Sequence, residues 1–128
     1  MKHRILVVDD DPEFREIIKV WLESEGHEAI LAQDLEEGFV GIAAEPLPDA
    51  VLLDIQLKNQ SSLTLVHWAR RQRHLAHIPI AAVTRLTSFR DLKRIAEAGC
   101  DACFTKPANF AALREYLAGL GVRSLISL

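Results

Sequence analysis

A chain of 128 residues, 49% hydrophobic and 26% charged, has the size of one ordinary domain that buries roughly two-thirds of its unfolded surface and needs no staple. A net charge of −3 with a pI near 5.9 gives no general reason to expect nucleic-acid binding, which favours a basic surface, so protein partners are expected. No apolar stretch approaches the ~20 residues of a membrane span, and Met1–Arg4 leads into a strand-like run without a signal-peptide pattern, which makes the cytosol the expected compartment.

Apolar runs alternate with amphipathic ones from end to end, the pattern of βαβ units. An α/β fold follows: a doubly wound, five-stranded parallel sheet flanked by five helices. The first strand is expected at Arg4–Val8. Pro12 then opens a helix whose core face carries Phe14, Ile17, Ile18, Trp21 and Leu22, ending near Gly26. After a second strand at Glu28–Ala32, Asp34 with Glu37 three residues on caps a helix that stops before Pro46. The third strand, Ala50–Leu53, ends on Asp54. Ser61 or Ser62 is the expected cap of a third helix carrying Leu63, Leu65, Val66 and Trp68, and its Arg70, Arg71 and Arg73 suit the negative end of the macrodipole. A fourth strand, Ile80–Val83, is followed by a helix over about Ser88–Ala98 that Gly99 closes. The fifth strand, Ala102–Thr105, precedes a last helix that begins near Asn109, with Phe110, Leu113, Leu117 and Leu120 at helical spacing. The domain is expected over residues 1–121, with 122–128 as a tail or linker stub.

The chemistry gathers at strand ends. Val8 is followed by Asp9, Asp10 and Asp11, Leu53 by Asp54, and Thr105 by Lys106 and Pro107. Open α/β sheets place their sites at the C-terminal ends of such strands, so neighbouring strands would bring these acids and the ammonium together. Two unpaired carboxylates ~4 Å apart at an effective dielectric of ~20 repel by about 4 kcal/mol. Cations are therefore required. Lys106 is one, and a partly hydrated hard divalent ion, Mg²⁺ or Mn²⁺, suits the remaining oxygen donors. Asp11 is expected to cap the first helix, which leaves Asp9 and Asp10 without a structural task and favours metal.

These residues resemble a known family. Val7-Val8-Asp9-Asp10-Asp11-Pro12, Leu53-Asp54-Ile55-Gln56-Leu57, Val83-Thr84 and Thr105-Lys106-Pro107 look like the receiver domain of two-component response regulators, in order and in spacing. The resemblance covers nearly the whole chain and implies a CheY-like, flavodoxin-like sheet of order 2-1-3-4-5. It implies that Asp54 accepts a phosphoryl group from a histidine kinase, a histidine phosphotransfer protein or a small phosphodonor. Asp9, Asp10, Asp54 and the Gln56 backbone carbonyl would hold Mg²⁺, the Thr84 hydroxyl would meet a phosphoryl oxygen, and Lys106 would pair with the acyl phosphate. Such a domain is no enzyme beyond catalysing its own phosphorylation and dephosphorylation. Its signal would leave through the face made by the fourth helix, fifth strand and fifth helix, to an output protein, a homodimer or an output domain outside this chain.

Two other readings stay open: a degenerate receiver that binds protein without phosphorylation, and a Mg²⁺-dependent phosphohydrolase. The second wants Asp-x-Asp at the first strand, whereas the acids here are consecutive. Four positions depart from the family pattern. Lys58 and Ser62 stand where the loop after the phosphoacceptor usually has Pro and then Gly, Arg85 replaces a small residue after Thr84, and Cys103 replaces the usual Tyr or Phe. Phe104 cannot substitute for that aromatic, because adjacent strand residues face opposite ways. Cys100-x-x-Cys103 is read as two small buried side chains rather than a redox pair, since Cys103 falls in a strand and not at a helix start. His67 is read as a surface residue of the third helix, and His3, His27, His74 and His77 as edge and loop residues.

Overall fold

The computed structural model describes residues 2–58, 60–86 and 88–120. In chain order its elements are β1 (Arg4–Val8), α1 (Pro12–Ser24), β2 (Glu28–Ala32), α2 (Leu35–Ala43), β3 (Ala50–Leu53), β4 (Gln56–Leu57), β5 (Gln60–Ser61), α3 (Leu63–Arg71), β6 (Ile80–Thr84), α4 (Phe89–Ala98), β7 (Ala102–Thr105) and α5 (Phe110–Ala118). Five strands form one parallel sheet in the order β2-β1-β3-β6-β7. That is the expected order, with a small antiparallel hairpin, β4–β5, inserted after the third strand. The expected boundary at 121/122 and the tail beyond it lie outside the described residues.

Alternation along the central strands sorts the core into two layers, because successive side chains point to opposite faces. Leu6, Val8, Val51, Leu53, Ile80 and Ala82 face α2, α3 and α4. Ile5, Val7, Ala50, Leu52, Ala81 and Val83 face α1 and α5. Both faces are therefore buried, which is why these strands read as unbroken apolar runs. Beyond the strand ends the ladder continues for one more step: Asp9 N–H donates to Ala32 O at 3.0 Å, Asp54 N–H to Val8 O at 2.9 Å and Lys106 N–H to Thr84 O at 3.0 Å. Those bonds fix where the three charged side chains begin.

The helix starts follow local chemistry. Asp11, Asp34, Ser88 and Asn109 each accept a backbone N–H of the first turn they cap, and Gly99 closes α4 at φ 112°, a left-handed conformation that glycine adopts without steric cost. Of the two serines expected to cap the third helix, Ser61 supplies the hydrogen bond and Ser62 does not. Ser62 stands at the N-cap without capping, because its hydroxyl donates to the Asp54 carbonyl at 2.5 Å, and Ser61 Oγ accepts from Leu63 N–H at 3.3 Å instead. Ile17 departs from the expected core face of α1. It is 48% exposed, because the buried stripe narrows to Ile18 and Leu22 with Phe14 and Trp21 beside them, and Ile17 borders an open groove that also takes in Pro107 and Phe110.

Three other expectations concern single residues. Cys103 lies in β7, and burial pushes its thiol up and that of Cys100 up to about 12, so both stay protonated and unreactive at neutral pH. Phe104 points into the layer opposite Cys103, against Tyr116 with ring centroids 5.6 Å apart. His27 is more than an edge residue: its Nδ1 accepts from His3 N–H at 3.1 Å and the two rings stack at 5.5 Å, which ties the start of β1 to β2.

Candidate functional site

Parallel pairing of β1, β3, β6 and β7 brings four strand ends to one edge of the sheet. Asp9 and Asp10 follow Val8, which pairs with Leu53 just before Asp54, and Thr84 pairs with Thr105 just before Lys106. Carboxylate oxygens of Asp9, Asp10 and Asp54 lie within 4.8 Å of one another. Lys106 Nζ reaches among them, at 2.6 Å from Asp9 Oδ2 and 3.0 Å from Asp54 Oδ2. Asp54, Thr84, Lys106, Asp10 and Gln56 line a cavity of about 220 Å³. Every expected site residue except Asp9 lines it, and Asp9 lies beneath, 1% exposed.

Burial is the largest single influence on each member of the pair at its base, but it prevails only at Asp9. Desolvation pushes the Asp9 carboxyl above its usual range, against the opposing hydrogen bond and charge of Lys106 and the N–H of Asp11. Burial works to lower the Lys106 ammonium too, yet hydrogen bonds to Asp9 and Asp54 outweigh it and hold the group above its ordinary value. Lys106 therefore stays charged. Three carboxylates against one ammonium leave the cluster with an excess of negative charge, and the donor set is all oxygen, which fits a hard divalent cation.

Neighbouring groups aim these side chains. Asp9 Oδ1 accepts from Asp11 N–H at 2.9 Å, so Asp9 does have a structural task, contrary to the expectation that it had none. Asp10 Oδ2 accepts from Lys58 N–H at 2.9 Å, in a hairpin where Lys58 takes a positive φ of 38°. Asp54 Oδ1 accepts from Gln56 N–H at 3.2 Å. Thr84 is buried, and its Oγ1 accepts from Leu86 N–H at 3.2 Å, which leaves the hydroxyl proton for another partner. Two contributors escaped the sequence reading: Arg15 Nη1 donates to Asp9 O at 2.7 Å, and Phe14 presents its ring 4.3 Å from Lys106 Nζ. Phe14 reads in sequence as an ordinary core residue, and nothing in its spacing marks the cation above it.

The sequence profile of the response regulator receiver domain matches residues 5–118. The chain belongs to that family. A polar-differentiation response regulator, DivK, from Brucella ovis is 33% identical over 109 residues, spanning 85% of this chain and 88% of the relative. Among solved structures, a CheY-like response regulator receiver domain from Methanospirillum hungatei superposes with a TM-score of 0.84 at 30% identity, covering 97% of this chain and 98% of that one. The BeF3-activated N-terminal receiver domain of Klebsiella pneumoniae RstA gives a TM-score of 0.80 at 30% identity over 90% and 95%. Receiver domains of this family are not in general turnover enzymes, hold Mg²⁺ through an acidic cluster of this kind and work with histidine kinases or phosphotransfer proteins. No described helix is long and apolar enough to cross a membrane.

Proposed function

We propose that the chain is an active phosphoacceptor of a two-component phosphorelay, in which Asp54 takes a phosphoryl group from a phosphohistidine on a kinase or phosphotransfer protein. The observation that carries this reading is the ion pair of Lys106 with Asp54 in the same cavity as Asp10 and Thr84. Bound Mg²⁺, held by Asp9, Asp10, Asp54 and the Gln56 carbonyl, would neutralise charge on the phosphoryl oxygens. An Asp54 oxygen forms the new bond to phosphorus while the bond from phosphorus to the donor's imidazole nitrogen breaks, and that nitrogen keeps the electron pair and takes up a proton. Lys106, already within 3.0 Å of Asp54, stabilises the charge spread over the equatorial oxygens. The Thr84 hydroxyl donates to one of them while its oxygen still accepts from Leu86.

The acquired charge, about −1.5 to −2, is then read by protein contacts on α4, β7 and α5. Retention of all three acids and Lys106 favours this reading over a phosphorylation-independent binding module. Incubating the chain with Mg²⁺ and acetyl phosphate and measuring intact mass tests it: one phosphoryl adduct is expected, absent in Asp54→Asn and absent when EDTA replaces Mg²⁺. An undiminished adduct in Asp54→Asn, or none in the parent with any donor, would overturn it.

A further inference from the structure

Charge is unevenly distributed along this chain. Residues 1–57 carry 14 acids against 4 Lys and Arg, whereas residues 58–128 carry 11 Lys and Arg against 4 acids. The basic half includes α3 and α4. Two of its acids are committed within the fold, Asp91 to the Ser88 hydroxyl at 2.6 Å and Asp101 to Arg70 at 2.9 Å. Arg90 and Arg94, four residues apart and so on one side of α4, take part in no ion pair among the described residues. Both are exposed.

Beside them, α4 and the β4–β5 hairpin enclose a second cavity of about 250 Å³, lined in part by Ile55, Leu63, Leu86 and Ile95. Ile55, Leu63 and Ile95 are 3%, 7% and 2% exposed, so its floor is a surface of the main core layer. Gln60, Arg94 and Asp91 stand at its polar edge, the Asp91 carboxylate accepting from the Ser88 hydroxyl, so Arg94 with Arg90 beside it leaves positive charge in excess there. The volume falls below the roughly 300–1,000 Å³ of sites that enclose a whole small molecule. It suits one large apolar side chain.

We propose that this cavity seats an apolar side chain of an acidic protein segment, whose flanking carboxylates face Arg94 and Arg90. Nucleic acid would satisfy the charge but offers no apolar anchor for the floor, so an acidic polypeptide is the occupant that answers both features. The surface shares α4 with the α4, β7 and α5 face but extends from it toward the hairpin, through Ile55, Gln60 and Leu63, and the inference holds whether or not Asp54 takes a phosphoryl group.

The probe is a blocked Glu-Glu-Leu-Glu-Glu peptide, titrated into the ¹⁵N-labelled full chain and followed by amide shifts. Saturable shifts are expected at Gln60, Leu63, Leu86 and Ile95. Replacing the peptide's Leu by Ala, its Glu residues by Lys, or the chain's Arg94 by Glu (R94E) should weaken binding roughly tenfold each, while Lys19→Glu on α1 leaves it unchanged. Equal binding of the Ala peptide, shifts confined to other residues, tighter binding of an oligothymidylate, or concentration-dependent shifts of the same residues without peptide would each overturn the proposal.

Discussion

Arg70 illustrates how far a single residue's role lies from what its neighbours in sequence suggest. Its position near the end of α3 invites a macrodipole explanation, but its guanidinium donates to Ala76 O at 3.1 Å, Ile78 O at 2.7 Å, Gly99 O at 2.8 Å and Asp101 Oδ2 at 2.9 Å. Arg70 thus joins α3 to the segment before β6 and to the turn between α4 and β7. Truncating it removes the donor from three part-buried carbonyls, and a buried group left unsatisfied costs about 1–3 kcal/mol. Arg70→Ala is expected to lower stability by about 2–3 kcal/mol in urea unfolding, and Arg70→Lys to recover less than half, since a point charge cannot reproduce the planar fork. Full recovery by lysine would refute the fork as the cause. The site acids and Lys106 were legible in sequence for a different reason. Each follows a strand end directly, so backbone register alone brings them together, whereas Arg70, Arg15 and Phe14 act across elements whose packing no local pattern encodes.

At the scale of elements, the central strands β1, β3 and β6 were legible because burial on both faces leaves them almost wholly apolar, and the half-buried edge strands β2 and β7 because each is a short apolar run between helical patterns. The β4–β5 hairpin was not, because two residues per strand carry no period. It replaces the loop expected after Asp54, and it is where Lys58 N–H and the Ser62 hydroxyl hold Asp10 and the Asp54 carbonyl. Close approach of α2 to the sheet has an equally local cause. A Cβ on Gly41 would lie 2.8 Å from Leu6 Cδ1, and Leu6 is fully buried. Gly41→Val is therefore expected to destabilise the fold by about 2 kcal/mol through overpacking, despite removing a poor helix former. A thermal melt at or above the parent's would mean that Leu6 repacks freely.

For the whole molecule, a net charge of −3 misleads, because it sums an acidic half that holds Asp9, Asp10 and Asp54 with a basic half that holds α3 and α4. Summed composition supports the inference that protein partners are favoured, yet it hides where the two signs of charge lie. Gln56 and Leu86 have a place in both halves of the picture, since each lines the acidic cavity and the apolar one behind the hairpin. Two compartments with a common wall cannot be filled independently if either filling moves that wall. Whatever factor Mg²⁺ or phosphate imposes on affinity for an acidic peptide, the peptide must impose the same factor in return on their binding. A partner on this surface would then act on the phosphorelay without touching Asp54: by favouring one position of Gln56 and Leu86, it would set how readily the chain is phosphorylated, by the same factor whichever ligand arrived first.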